Sequence, residues 1–404
     1  MFLGIPYAQP PIGDLRLKPP QSINASFNGT LDATSYGPHC WSSYTTGYND
    51  HSGFNNSEAC LTLNVIRPSG IYHLTARSFL LTSGYMGLGR QWAFYYFHFI
   101  GINYRLGSLG FLGGKALADD GSINLGLCDQ RLAMHWVQEN IAQFGGDPTK
   151  ACGSSINAHI VAYGGRVDKL FNQAIIESGT GLAPWGIPTS AAYHATCDSL
   201  IVNTSCSSTA NSSDSAQLAC LRALPIDEFR MVSNGTTGLQ LGSTSYEQAE
   251  WVKVAFLIGS NSDEGRSFAT LRANTTAGAN SSLVSKIPPA KYRTAILDLY
   301  PDVPPPVGMS FQYGTFQLAP VQNGLYGIPG AQNKRVQAIV GDVMQAAGPR
   351  YLVQKVSSQV PFYKYRWNHI PYLVSFSVED FIGHFTEVSY AFNLQNNEYL
   401  SSVS

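Results

Sequence analysis

The sequence predicts an α/β fold, a mostly parallel central sheet with helices on both faces. Three observations predict it. An uninterrupted apolar run, Val254-Ala255-Phe256-Leu257-Ile258-Gly259, leads into the polar turn Asn261-Ser262-Asp263-Glu264-Gly265, as a buried parallel strand would. Residues 129–143 place Leu132, Trp136, Val137 and Ile141 on one helical face and end at Gly145-Gly146-Asp147-Pro148. Strand-like and helix-like stretches then alternate along the chain.

Taken in order, residues 60–66 alternate like a strand, and residues 99–104 form a second, shorter one. The helix at 129–143 follows. Residues 171–176 read as a further strand, then the 254–259 run, and residues 360–367 alternate apolar and polar as another. Gly and Pro punctuate the chain throughout, with no internal repeat and no low-complexity linker.

The 404 residues suffice for one large α/β domain or two ordinary ones. At 44% hydrophobic and 13% charged residues there is ample material for a core and no disorder signature. A net charge of -1, without a basic stripe or acidic tail, makes nucleic acid and anionic membrane surfaces poor partners. No apolar run approaches the ~20 residues of a membrane helix. Neither a metal nor a cofactor is expected: the seven cysteines include no C-x-x-C.

Two loops closed by disulfides are expected instead, Cys40 with Cys60 and Cys206 with Cys220, leaving Cys128, Cys152 and Cys197 over. Eight N-x-S/T tripeptides stand at Asn24, Asn28, Asn55, Asn203, Asn211, Asn234, Asn274 and Asn280. Together with the cysteine pairs they indicate a secreted glycoprotein with N-glycans. The opening Met1-Phe2-Leu3-Gly4-Ile5-Pro6 has no charged n-region and no long apolar stretch, so no signal peptide is read there.

The chemistry sits in two settings. Glu264 lies in the turn after the 254–259 run, and His384 lies in Gly383-His384-Phe385-Thr386-Glu387. Acid before histidine is the chain order of serine hydrolases that carry an earlier G-x-S-x-G turn. The place for that turn reads Ala151-Cys152-Gly153-Ser154-Ser155-Ile156-Asn157, without the motif.

Ordered motifs run nearly end to end: Phe2-Leu3-Gly4-Ile5-Pro6-Tyr7-Ala8, Ser57-Glu58-Ala59-Cys60-Leu61-Thr62-Leu63-Asn64-Val65, Asn103-Tyr104-Arg105-Leu106 and Gly126-Leu127-Cys128-Asp129-Gln130-Arg131. Trp136-Val137-Gln138-Glu139-Asn140-Ile141, Phe144-Gly145-Gly146-Asp147-Pro148 and Glu177-Ser178-Gly179 continue the series. The chain thereby resembles type-B carboxylesterases and lipases, the family of fungal lipases and cholinesterases. The resemblance implies a single α/β-hydrolase domain over residues 1–404, truncated at both ends, acting on an uncharged small-molecule or lipid ester outside the cell. It implies Glu264 as the acid that orients the histidine and His384 as the base, and it pairs Arg16 with Glu58 and Arg105 with Asp129.

Departures from the family are equally specific. Between Phe144-Gly145-Gly146-Asp147-Pro148 and the family-like text resuming at Ala158, the strand and its G-E-S-A-G elbow are missing. The family's H-G-G-G oxyanion loop corresponds to Thr82-Ser83-Gly84-Tyr85-Met86-Gly87, with one glycine in register and no histidine. Eleven residues, 92–102, replace a longer helix and strand, and a further cut falls between Gly238 and Glu247. Ser155 is the nearest thing to a nucleophile, but Asn157 replaces the second elbow glycine, and an ordinary Ser-rich loop is the better reading. Cys152 as a substitute thiol rests on location alone.

Loss of a central strand would leave buried backbone groups unpaired at about 1–3 kcal/mol each, against the roughly 5–15 kcal/mol of a whole domain. The expectation is an incomplete sheet and an esterase lineage inactive as written. The alternative is a non-catalytic, cholinesterase-like binding glycoprotein.

Overall fold

Among the described residues are ten strands: β1 (Phe2–Pro6), β2 (His39–Cys40), β3 (Asn56–Ser57), β4 (Thr62–Ile66), β5 (Ala76–Leu81), β6 (Phe97–Ile102), β7 (Gly146–Gly153), β8 (Gln173–Glu177), β9 (Ala255–Asn261) and β10 (Phe362–Trp367). The structure, a computed structural model, describes residues 1–24, 28–41, 55–67, 76–81, 97–153, 157–166, 168–180, 191–232, 243–270, 272–287, 289–301, 332–369, 382–384, 386, 387 and 390. Eight strands make one sheet in the order β1-β4-β6-β5-β7-β8-β9-β10, and β2 pairs with β3 alone. The β1–β4 and β4–β6 contacts are antiparallel, and every other pair in the large sheet is parallel.

Helices that bear on the argument are α1 (Leu125–Asn140), α2 (Asn157–Val161), α3 (Ala191–Val202), α4 (Asp214–Ala223), α5 (Thr276–Ser282), α6 (Ala290–Leu299), α7 (Asn333–Gly341) and α8 (Ala347–Val356). The main core lies against the sheet and joins Leu63, Val65, Ile100, Ile102, Phe256 and Ile258 to Met134 and Val137 of α1. Layers on both faces explain why all five residues of β4 are buried. Two smaller cores form around α3 and α4 and around α5 to α7. Among the described residues, no helix is long and apolar enough to cross a membrane.

The predicted helix starts earlier than expected and closes with a 3₁₀ turn at Ile141–Phe144. Its buried face runs through Asp129, Gln130, Ala133, Met134, Val137 and Ile141, while Leu132 and Trp136 are half-buried at the flank. Asp129 takes the inward place because Arg105 meets it there. Arg105 donates from Nε and Nη2 to Asp129 at 2.8 and 2.7 Å, and from its backbone N–H at 3.0 Å. Arg16 holds Glu58 in the same two-pronged way, at 2.6 and 2.7 Å. Both disulfides have formed, Cys40–Cys60 with Cα atoms 5.0 Å apart and Cys206–Cys220 with 5.7 Å. Cys128 and Cys197 are free, and the thiol of Cys152 lies outside the described side chains.

The expected vacancy in the sheet is not there. Gly146-Asp147-Pro148, read from sequence as a helix stop, opens β7, and β7 fills the slot between β5 and β8. The patch is thin. Ala76 and Arg77 pair with Gly146 and Asp147, and pairing resumes only at Phe79 with Cys152 and Leu80 with Gly153. Against β8 only Cys152 and Gly153 pair, whereas β8 and β9 match over five residues. Open backbone groups on β5 and β8 are the physical pull: any adjacent segment that satisfies some of them lowers the free energy.

Candidate active site

Strand β9 ends at Asn261, and Glu264 follows in a 3₁₀ turn, Glu264–Ser267, at the carboxyl end of the sheet. That end is where ligands bind in parallel sheets. The turn fits because Gly265 has no side chain. A Cβ there would stand 1.8 Å from the Gln337 carbonyl oxygen and 2.5 Å from the Gly341 nitrogen, both backbone atoms of α7.

Glu264 is 2% exposed, and three donors converge on its carboxylate. The Asn261 backbone N–H donates to Oε1 at 2.6 Å, the Ser178 hydroxyl to the same oxygen at 2.5 Å, and His384 Nδ1 lies 2.6 Å from Oε2. A carboxylate only accepts, so the imidazole proton sits on Nδ1 and the ring's proton-accepting lone pair on Nε2. Phe268 stands edge-on to the ring, with centroids 4.9 Å apart.

The loop carrying His384 is fastened to the acid turn by its backbone. Asp263 N–H donates to the Ile382 carbonyl at 2.9 Å, and Ile382 N–H returns a bond to Asp263 Oδ2 at 3.1 Å. The Asn261 side-chain amide donates to the Gly383 carbonyl at 2.7 Å and to Glu387 Oε2. Glu264 and His384 are legible as candidates in the sequence, whereas the roles of Ser178, Asn261, Asp263 and Glu387 are not. All four stand in the same short motifs, but nothing in a linear motif shows that its neighbours hold one carboxylate and one loop. Ser178 reaches Glu264 from a left-handed backbone, φ 55°, just past the end of β8.

Two further carboxyl groups belong to the same segments, the half-buried Glu177 and the buried Glu387. Burial, then the charge of Glu387, pushes Glu177 up to about 7. Glu387 is raised chiefly by burial, against the lowering bond from Asn261. The Tyr365 phenol is raised by burial and by Glu177, Glu387 and Glu264 together. On α7, burial brings Lys334 down to about 8 against the opposing charge of Asp263. Glu177 closes β8 and Glu387 follows His384 by three residues, so these two shifted carboxyl groups belong to the same segments as the candidate site.

Ser155 and the segment 82–87 lie outside the described residues. The elements around them are described. Gly153, the last residue of β7, is level with Ala174, three residues before β8 ends at Glu177. At ~3.3 Å per residue, β7 stops about 10 Å short of that edge. Asn157 is buried at the start of α2, and its Oδ1 accepts from the Tyr246 hydroxyl at 2.6 Å. The place of the elbow's second glycine therefore has a structural occupant. His159, on the same short helix, is 2.9 Å from Gln130 Oε1, and burial lowers it to about 3, so it stays neutral. Among the described residues no group of three or more His, Cys, Asp or Glu could hold a metal.

A family model described as the carboxylesterase family matches residues 1–400. Secreted lipase 1 of Botryotinia fuckeliana is 30% identical over 481 aligned residues, covering 100% of this chain and 80% of the lipase. That stretch exceeds the 404 residues here, so the lipase carries segments opposite gaps in this chain. Mouse cholinesterase is 30% identical, covering 70% of this chain and 53% of its own length. The crystal structure of Aspergillus niger EstA superposes with a TM-score of 0.73 at 27% identity, covering 97% of this chain and 78% of that one.

Proposed function

Because the chain belongs to the carboxylesterase family and has its α/β-hydrolase fold, we propose that it keeps the acid–base half of a serine ester hydrolase and lacks the acylating half. Glu264 is the orienting acid and His384 the general base, in a single domain. The observation that carries this is the 2.6 Å contact between His384 Nδ1 and Glu264 Oε2.

In an intact site of this kind, His384 Nε2 takes the proton of a serine as it attacks the ester carbonyl and returns it to the leaving alcohol. Glu264 fixes the tautomer and stabilises the imidazolium, and Ser178 and Asn261 fix Glu264. The substrate class is an uncharged carboxylic ester. Without G-x-S-x-G before Ala158 and without H-G-G-G before Tyr85, serine and oxyanion donors are lost together. One such donor is worth about 10²–10³ in rate. An extracellular setting is supported by the secreted lipase relative and by the two disulfides.

A second reading is favoured by one observation. Strand β7 closes the sheet although the elbow is gone, as expected of a binding glycoprotein that keeps a cholinesterase-like fold without its chemistry. Treatment with a serine-directed phosphonate, beside turnover of a short-chain aryl ester, tests the proposal. No stoichiometric labelling is expected. Labelling that disappears in Ser155→Ala overturns it, and a folded, unlabelled chain that retains a ligand favours the second reading.

A further inference from the structure

The repeated N-x-S/T tripeptides differ sharply in setting. Asn28, Gly29 and Thr30 are all exposed, and a Cβ on Gly29 would meet nothing within 4 Å. Asn211, Ser212 and Ser213 are all exposed in the turn that precedes α4. Asn203 is exposed just past the end of α3, with its amide donating to the Ser199 carbonyl at 2.8 Å and the Ser199 hydroxyl at 3.3 Å.

Asn280 is different. It is half-buried inside α5, next to the fully buried Ala279. Its Oδ1 accepts from Arg293 Nε at 2.8 Å, and Arg293 Nη1 donates to the Ile287 carbonyl at 2.7 Å, joining α5 to α6. The hydroxyls of Ser281 and Ser282 are spent on the Ala277 and Gly278 carbonyls, each at 3.0 Å.

We infer that Asn28, Asn203 and Asn211 carry N-linked oligosaccharides in the folded protein and that Asn280 does not, although it has the same tripeptide. In the transfer, the amide nitrogen gives up one proton to solvent and forms a bond to the anomeric carbon of an N-acetylglucosamine. The lipid diphosphate that carried the oligosaccharide leaves. At Asn203 one N–H remains for the Ser199 carbonyl, so the helix end is undisturbed. At Asn280 the side chain is half-buried inside a helix and held through Oδ1 by Arg293 of α6, so Nδ2 has less open space around it than at the three exposed sites.

The assignment rests on the secretory setting proposed above, and the test separates the two. The full chain is translated behind a secretory leader into microsomes, which places it in the lumen wherever its own gene directs it. Glycans are removed by a peptide amidase in ¹⁸O-water, and each asparagine is read by mass spectrometry. Label is expected at Asn28, Asn203 and Asn211 in the whole lumenal pool. In the protease-resistant, folded fraction, Asn280 is expected at least about tenfold below Asn203, a ratio that the loss of one half-buried side-chain hydrogen bond sustains. No label at the three exposed sites, or equal label at Asn280 in the folded fraction, overturns the inference. If no fraction folds, the three exposed sites alone decide it.

Discussion

Asn261 reaches across 122 positions of sequence to donate its side-chain amide to the Gly383 carbonyl at 2.7 Å. The same residue gives its backbone N–H to Glu264 at 2.6 Å. One asparagine at the end of β9 thus sets both the acid and the loop of the base. Truncation in Asn261→Ala leaves the Gly383 carbonyl and the buried Glu387 carboxyl without this donor. At roughly 1–3 kcal/mol per buried unsatisfied group, urea denaturation should show a loss in that range or above. A change below about 0.5 kcal/mol, typical of a surface site, would mean that the loop is held by other means.

Glu177 makes stability depend on pH in the direction opposite to an ordinary ion-paired carboxylate. Its folded value is about 7, against an ordinary value of 4.5. The folded state therefore holds the proton more tightly, and stability falls as pH rises from about 4.5 to 7. At ~1.4 kcal/mol per pH unit of difference, the loss is on the order of 2–3 kcal/mol. Glu177→Gln should remove that slope and gain more at pH 8 than at pH 4.5 in paired urea titrations. Equal gains at both values would show that Glu177 is not the group responsible, and Glu387 would be next to test.

Gly265 and Gly341 press two backbones together beside the acid. Because a Cβ on Gly265 would meet backbone rather than a movable side chain, Gly265→Ala must displace α7. Overpacking costs typically about 1–3 kcal/mol, occasionally more. Gly29→Ala is the control, with positive φ but open space around it, and should cost only the roughly 1–2 kcal/mol of a left-handed backbone, with no helix displaced. Thermal melts that rank the two alike would argue against the close packing.

These residues also show what was legible in the sequence. Strands β4, β8 and β9 are legible from their apolar patterns because each buries residues in the sheet, and β10, at the edge with no fully buried residue, is legible from its alternation alone. Glu264 and His384 were found because short motifs flank them. The role of Ser178 is not legible in Glu177-Ser178-Gly179, since its bond to Glu264 spans 86 positions and no local pattern encodes it. Strand β7 was hidden for a different reason. Gly146, Asp147 and Pro148 are poor strand formers, and only the open edges of β5 and β8 make a strand of them.

A strand recruited in that way should be held less firmly than its neighbours. Between Arg77 and Phe79 of β5, one residue is passed over while four residues of β7 go by, and β8 offers β7 only two partners. Strand β9, by contrast, pairs over five residues with β8 and six with β10. Local opening free energy follows the number of buried hydrogen bonds that must break together. Strand β7 has five fewer pairings than β9, and losing even two or three of those bonds at about 1 kcal/mol net each corresponds to exchange faster by roughly one to two powers of ten. Hydrogen exchange followed by mass spectrometry should therefore show peptides over 146–153 exchanging well ahead of peptides over 255–261. Equal protection in the two would mean that β7 is a full member of the sheet. The loss of the elbow would then have cost the fold nothing, and the binding-glycoprotein reading would gain accordingly.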